Sequence, residues 1–184
     1  MNQLTAGTML DPLDLVTIHG EPLRIPDPAR LVHLQFRRYS GCPVCNLHLR
    51  NTASRLEELD AAGILETAVF HSSAETMRDY QAEFRFQLVA DPERRLYAAF
   101  GVEHKISVTT AVRPRTFKAA ARALTSAPSL RGATGKGEEH RGLPADFLID
   151  TDGRLLAAHY GRFVDDHWSV DTVLALASAT HVPS

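Results

Sequence analysis

The sequence has little cysteine, little tryptophan and no long hydrophobic run. Only two of its 184 residues are cysteine, too few for a disulfide-rich scaffold, and a chain of this length buries roughly two-thirds of its unfolded surface without such staples. No apolar stretch approaches the about 18 to 20 residues of a membrane span. The first fifteen residues also lack the basic start and apolar centre of a signal peptide. We therefore expect a cytoplasmic protein with no membrane partner.

Positive and negative charges nearly balance over the whole chain, but they are unevenly distributed along the sequence. The formal net charge is −2, yet residues 105–141 hold eight basic and two acidic side chains. Such a basic segment attracts anionic partners or docks onto its own acidic body. Aromatic residues are not interleaved with the basic ones, which disfavours nucleic-acid binding. We expect self-docking or a solvated face and no nucleic-acid partner.

The two cysteines, Cys42 and Cys45, stand three positions apart in the motif C-P-V-C. They are a redox pair, half of a metal site, or two small buried side chains. A reducing compartment favours redox chemistry for such a pair. A zinc site would combine them with His48 and one further histidine, but no second paired ligand spacing is present. We expect a redox pair, with no metal and no cofactor.

Hydrophobic periodicity predicts an alternation of strands and helices. Two short strands surround residues 20–22, and a strand over 31–38 with one well-buried face follows. A helix is predicted from Pro43 to Ala62, closed by Gly63. Further strand and helix units run to about residue 102, the last of them a helix that opens on Asp91-Pro92. An irregular segment over 103–142 contains one helix and a glycine-rich loop. A hairpin over 145–161 and a last helix from Asp165 or Asp166 complete the chain. This rhythm implies an α/β fold, with helices on both faces of a central sheet.

The C-P-V-C motif falls where a predicted strand passes into a predicted helix. Pro43 suits the first helical turn, so Cys42 occupies the helix N-terminus. Backbone N–H groups and the helix dipole there favour thiolate over thiol. We predict that Cys42 is the exposed attacking thiol, with a pKa below the ordinary about 8.5, and that Cys45, one turn inward, resolves the intermediate.

This order of elements, with C-P-V-C after the strand and "LPADFLIDTDGRLLAAHYG" as the late hairpin, resembles the thioredoxin fold in its peroxiredoxin-like form. It is similar to the alkyl hydroperoxide reductase/thiol-specific antioxidant superfamily over about residues 10 to 180. The resemblance implies one thioredoxin-like domain over residues 1–184, with a central mixed sheet, an N-terminal β-hairpin and an insertion at about 103–142.

The resemblance also implies site residues beyond the cysteines. In thioredoxin-fold proteins a cis proline before the hairpin strand faces C-x-x-C and shapes the substrate groove, and Pro144 matches that place. The peroxide-binding pattern P-x-x-x-T/S-x-x-C is altered, with Gln35 at the proline and Tyr39 at the hydroxyl position. Pro144 also falls where that family carries its arginine. Tyr39 would offer a hydroxyl near Cys42, and charge would come from Arg37, Arg38 or Arg162.

Two functions of different class follow from these observations. The first is an oxidoreductase that reduces disulfides or peroxides through Cys42 and Cys45, with a thioredoxin-like or glutathione reductant. A homodimer is compatible with this function. The second is a non-enzymatic redox-sensing or protein-interaction module, with the basic 105–141 segment as its partner surface. Catalytic turnover distinguishes the two.

Overall fold

The computed structural model describes residues 3–102 and 142–180, which form two β-sheets and five helices. The strands are β1 (Leu13–Val16), β2 (Pro22–Ile25), β3 (Leu31–Phe36), β4 (Ile64–Phe70), β5 (Gln87–Ala90), β6 (Ala145–Ile149) and β7 (Leu155–Tyr160). The helices are α1 (Pro43–Ser54), α2 (Leu56–Ala61), α3 (Ala74–Gln81), α4 (Arg95–Ala99) and α5 (Val170–Thr180).

The central sheet has five strands in the order β5-β4-β3-β6-β7. Strands β3, β4 and β5 are parallel because helices connect them, whereas β6 runs antiparallel to both β3 and β7. A tight turn joins β6 to β7, and Gly153 in that turn has φ +91°, a conformation that favours glycine. The predicted mixed sheet, with α1 directly after its central strand β3, is confirmed.

Both faces of the central strand are covered. Val32, Leu34 and Phe36 of β3 pack in a core that includes Tyr97 and Phe100 from the α4 region. In a second core, α1 and α3 pack against β4 and β5. In a third core, α5 packs against β3 and β6. All six residues of β3 are buried, so the prediction of one well-buried face was too narrow.

The N-terminal hairpin of β1 and β2 is also confirmed. It forms a separate two-stranded antiparallel sheet. Its inward residues Leu23 and Ile25 join the same core as Phe36. The chain after β1 reaches the edge strand β5, where Ile18 N–H donates to Leu88 O (2.9 Å). This contact covers part of an edge that would otherwise leave strand hydrogen-bonding groups unpaired.

The single helix predicted over residues 43–62 is wrong in one respect, because it breaks into α1 and α2 at Arg55. Arg55 has φ −119° and ψ 19°, outside helical geometry. The side chains of Thr52 and Ser54 just before it bond to backbone carbonyls of His48 and Asn51. Hydroxyl groups that compete for backbone partners in this way weaken a helix locally. The predicted closure by Gly63 is confirmed by its φ of +69°.

Two predicted helix starts are also corrected. The helix after Asp91 begins only at Arg95, because the Asp91 carboxylate accepts from three backbone N–H groups of the first turn, those of residues 95, 96 and 97. The last helix begins at Val170 rather than at Asp165 or Asp166. Its first turn is closed by Ser169, whose hydroxyl accepts from Thr172 N (3.2 Å).

The predictions for the basic 105–141 segment and for the insertion around 103–142 lie almost entirely outside the described residues. Within the described parts of the chain, no helix is long and apolar enough to cross a membrane.

Candidate active site

The two cysteines lie at the start of α1, as predicted. Cys42 is the N-cap residue, and its sulfur accepts a hydrogen bond from Cys45 N (3.5 Å). Pro43 occupies the first turn, where its missing N–H leaves no helical bond unmade. The prediction that Cys42 is exposed is wrong, because its exposed fraction is 1% and that of Cys45 is 4%. The Cys42 sulfur is therefore solvated by protein donors rather than by water.

The two thiols are electrostatically unequal. The Cys45 thiol donates a hydrogen bond to the Cys42 sulfur, and this lowers the pKa of Cys42 more than burial raises it. The Arg38 charge and the N–H groups of Cys45 and Val44 lower it further, to about 6. The pKa of Cys45 is raised well above its ordinary value, because it shares that bond with Cys42 and is buried. These directions are the ones expected from the sequence, and the roles of the two thiols stay a prediction.

Arg38 and Tyr39 complete the immediate surroundings of Cys42. Arg38 Nη1 lies 3.8 Å from Cys42 Sγ, and its guanidinium stands 5.5 Å from the centre of the Tyr39 ring. Tyr39 is buried in the same apolar cluster as both cysteines, and its carbonyl accepts from Cys42 N (3.0 Å). The structure thus brings Tyr39 to the cysteines through its backbone and ring. A role for its hydroxyl stays a prediction.

Pro144 differs from its predicted conformation. Among the described residues the cis peptide bond is the one between Ile25 and Pro26, so the cis bond predicted before Pro144 is wrong. Pro144 instead continues the β6–β7 pairing, because its carbonyl accepts from Gly161 N (2.8 Å). A Cβ at Gly161 would lie 2.8 Å from Pro144 Cγ, so glycine is required for this contact. The loop approaches the site two residues earlier, where Gly142 faces Arg38.

The other two candidate arginines have different surroundings. Arg162 is 83% exposed and pairs with Asp166 (3.6 Å), so it is a surface group. Arg37 has an exposed fraction of 1% and is fully enclosed. Its guanidinium bonds to Asp146 (2.7 Å) and to Gln35 (2.6 Å). Of the three candidates, Arg38 supplies charge to Cys42.

Arg37 belongs to a buried polar network that sequence reasoning missed. Gln35 bonds to Glu66, Glu66 to His33 Nδ1 (2.7 Å), and His33 Nε2 lies 3.6 Å from Asp146. The signal was present in the sequence, since His33, Gln35 and Arg37 alternate along one face of the strand predicted before the cysteines. That strand is central, so both of its faces are covered and the polar face had to find partners inside.

The network reaches the helix of the cysteines through His48. Arg37 Nη2 lies 3.0 Å from His48 Nε2, and since a guanidinium only donates, that nitrogen is an acceptor and His48 is neutral. Burial, with the Arg37 charge, holds the pKa of His48 well below its usual range. The His48 ring contacts that of His167 at 3.7 Å between centroids. Arg37 therefore ties α1 to the central sheet.

The network holds two carboxylates and two cations in balance. Burial alone would lower the pKa of His33, but the Glu66 and Asp146 carboxylates raise it to about 9. Burial alone would raise the pKa of Asp146, but Arg37 and His33 lower it to about 2. At neutral pH the imidazolium of His33 and the guanidinium of Arg37 therefore face the two carboxylates.

We expect the stabilising contribution of His33 to disappear as pH rises. Its folded pKa exceeds its unfolded value of about 6.5, so its contribution is complete below about pH 6.5 and is lost towards about pH 9. The difference in free energy of unfolding between wild type and His33→Gln should shrink by roughly 1 to 3 kcal/mol over that range. Urea unfolding at several pH values measures it.

The comparison with His33→Gln is needed because Cys42 acts in the opposite direction. Its folded pKa is lowered, so its contribution grows as pH rises, equally in both proteins. A difference that stays constant from about pH 6.5 to 9 would show that His33 is not charged in the folded state.

Metal binding has no support in the described parts of the chain. Among residues 3–102 and 142–180, no three histidine, cysteine, aspartate or glutamate side chains are grouped so as to hold a metal ion. His48 contacts a second histidine, His167, but Arg37 occupies the acceptor nitrogen of His48.

Residues 51–162 match the family model described as AhpC/TSA antioxidant enzyme, which covers more than half of the chain. The protein therefore belongs to the AhpC/TSA antioxidant enzyme family and is a thiol-dependent oxidoreductase. The matched region begins after α1 has started, so it does not itself include Cys42 and Cys45. Among curated protein sequences, none matches this chain.

Several solved structures have a fold similar to that of this chain. Peroxidoxin BcpB from Mycobacterium tuberculosis is 18% identical, with 98% of this chain and 100% of that chain covered and a TM-score of 0.70. A mutant of peroxiredoxin Q from Xylella fastidiosa is 16% identical, with 99% and 100% covered and a TM-score of 0.71. A candidate thiol:disulfide interchange protein DsbE from Chlorobium tepidum is 19% identical, with 95% and 99% covered and a TM-score of 0.61.

Proposed function

We propose that this protein reduces disulfides or peroxides with Cys42 as nucleophile and Cys45 as resolving thiol. The observation that carries the proposal is the inequality of the two thiols. The pKa of Cys42 is lowered to about 6, so Cys42 is largely thiolate at neutral pH, whereas the raised pKa of Cys45 keeps its proton in place. Cys42 is thus the nucleophile, and Cys45 is the thiol that resolves the intermediate.

The first step forms one bond to the Cys42 sulfur. With a disulfide substrate, the Cys42 thiolate attacks one sulfur, a mixed disulfide forms, and the other substrate sulfur leaves as thiolate. With a peroxide, the thiolate attacks one oxygen, the O–O bond breaks, and Cys42 becomes a sulfenic acid while an alcohol or water leaves after taking a proton. Arg38, 3.8 Å from the sulfur, stabilises the negative charge before attack.

The second step joins the two cysteines. Cys45 gives up its proton and attacks the Cys42 sulfur, which releases the second substrate thiolate or, from the sulfenic acid, water. The Cys42–Cys45 disulfide then accepts two electrons from an external dithiol of thioredoxin type or from two glutathione molecules, and both thiols return. This cycle requires a reducing compartment, for which we propose the cytoplasm.

The test of the proposal is the pH dependence of alkylation by iodoacetamide. Cys42 should react first, with a rate that rises to a plateau around a midpoint near pH 6. Arg38→Met removes a positive charge from beside the sulfur, so the midpoint should move upward by roughly one pH unit. Peptide mass mapping of the alkylated chain gives the rate for each cysteine separately.

Arg24→Met is the matched control, because Arg24 is exposed on the N-terminal hairpin and pairs with Asp14. It should leave the midpoint unchanged. Equal alkylation rates for Cys42 and Cys45 across about pH 5 to 9 would count against the assignment of roles.

Turnover separates this proposal from a non-enzymatic sensing module. An enzyme with a reducing system consumes many equivalents of hydrogen peroxide, organic hydroperoxide or insulin disulfide. A sensor reacts once for each chain. Consumption that stops at one equivalent with every one of these substrates would favour the sensing module.

A further inference from the structure

The turn that carries Cys42 is anchored at a serine two residues before it. Ser40 is fully buried, and side chains from three separate parts of the fold bond to it. They come from Asn46 in α1, Ser72 after β4 and Gln81 at the end of α3. None of these residues belongs to the proposed chemistry or to the motifs of the sequence.

Gln81 makes the largest share of these bonds. Its Nε2 donates to Ser40 O (2.7 Å) and to Asn46 Oδ1 (2.7 Å), and its Oε1 accepts from Ser40 Oγ (2.7 Å). Asn46 Nδ2 also donates to Ser40 O (2.9 Å), and Ser40 N donates to Ser72 Oγ (2.8 Å). Gln81 itself has no exposed surface, so every polar group of its amide is used inside the protein.

We propose that Gln81 is a positioning residue for Cys42, which acts by holding Ser40 and thereby orients the turn over residues 39–42. The inference rests on the proposed role of Cys42 as nucleophile and adds to it a residue that does not touch the sulfur.

The turn is the element that places both activating contacts of Cys42. Within it, Cys42 N donates to Tyr39 O (3.0 Å), which directs the chain into the first turn of α1. Arg38 directly precedes this turn and Cys42 ends it, and their side chains meet at 3.8 Å. A displacement of Ser40 therefore changes the distance from the sulfur to the guanidinium and to Cys45 N together.

Loss of the amide is costly at this place because Ser40 and Gln81 have no exposed surface. Without Gln81, the Ser40 carbonyl keeps only Asn46 as a donor, and the Ser40 hydroxyl keeps only a longer contact to Thr76 O (3.4 Å). Buried polar groups that lose their partners shift to find new ones or stay unsatisfied. Either outcome loosens the turn.

The test compares Gln81→Met with wild type in the iodoacetamide profile of Cys42. Methionine has a similar volume and no amide, so the apolar packing is largely retained. The alkylation rate at about pH 6 should fall about fivefold, through an upward shift of the midpoint by about one unit, while the plateau rate at high pH changes little. A role in stability alone would lower the unfolding midpoint and leave the pH profile in place.

Thr52→Val is the matched control. Thr52 is buried on α1, and its hydroxyl bonds to His48 O (3.3 Å) rather than to the turn over residues 39–42. Whatever its effect on stability, this variant should leave the Cys42 midpoint unchanged. If it shifts the midpoint as far as Gln81→Met does, general loosening of α1 explains the effect and the proposal is wrong.

A second variant keeps the test decisive if Gln81→Met does not fold. Ser72→Ala removes only the bond to Ser40 N, and it should shift the midpoint in the same direction by a smaller amount. An unchanged Cys42 midpoint in folded Gln81→Met overturns the proposal for Gln81. If Gln81→Met does not fold, an unchanged Cys42 midpoint in Ser72→Ala overturns it. A wild-type midpoint near the ordinary value of about 8.5 would instead overturn the proposed role of Cys42, so the two failures are distinguishable.

Discussion

Replacing Cys42 by serine is expected to lower turnover with peroxide or disulfide substrates by at least about 10³-fold, because a serine hydroxyl is not ionised at neutral pH and cannot form the sulfur intermediate. The fold should survive, since serine is close in size to cysteine. Consumption of substrate in the presence of a thioredoxin or glutathione reducing system measures the loss.

Cys45→Ser should have a different result, because Cys42 can still attack. Without a resolving thiol, the intermediate on Cys42 should accumulate as a mixed disulfide, or as a sulfinic or sulfonic acid under peroxide. Oxidised wild type should instead lose both thiols together, at a mass about two units lower within one chain. Mass spectrometry of the intact, peroxide-treated protein distinguishes these products.

The same spectra contain the outcome that would contradict the mechanism. Oxidised wild type that retains a free Cys45 would remove its resolving role. A product that links Cys42 of one chain to another chain would replace the intramolecular C-P-V-C disulfide with an intermolecular one.

Arg37→Met is expected to destabilise the protein by about 3 to 5 kcal/mol, the usual cost of removing one partner from a buried ion pair. Arg37 bonds to Asp146 at 2.7 Å, and both side chains are almost fully enclosed. Without the guanidinium, the buried carboxylates of Asp146 and Glu66 keep only His33 as a cation. Urea unfolding at neutral pH measures the change in the free energy of unfolding.

An exposed arginine provides the comparison. Arg24 pairs with Asp14 at 3.3 Å, with side chains 61% and 80% exposed, so Arg24→Met should cost less than about 1 kcal/mol. A loss for Arg37→Met as small as for Arg24→Met would show that the network reorganises around the missing charge. Unfolding at acid pH adds a further check, because the contribution of Asp146 to the free energy of unfolding should be lost as pH falls from about 4 towards about 2.

Much of the fold could be predicted from local patterns. The runs that became β4 and β6 have the apolar composition of buried strands, and Gly63 marks the end of the helical region as a residue that accepts positive φ. Helix starts were predicted less well, because several aspartates compete as caps. Asp166 instead bonds to Arg162 N (2.8 Å), and Ser169 closes the first turn of α5.

The candidate site, like the fold, was predictable only where its features are local in the chain. The spacing of Cys42 and Cys45 and the position of Pro43 determine that the sulfurs meet at a helix start, because those relations are local in the chain. Which arginine stands beside Cys42 was left open among three candidates, since it depends on how the turn over residues 39–42 is held. The burial of Cys42 was missed for a similar reason.

The sequence by itself thus determined the order of most elements and the placement of both cysteines at one helix start. The second follows from contacts within about one helical turn. Only the tertiary structure decided which charged groups are enclosed together. Glu66 and Asp146 come from strands far apart in the chain, and each meets the central strand only when the sheet forms. The same holds for Gln81, which reaches Ser40 across 41 positions because α3 packs beside the start of α1.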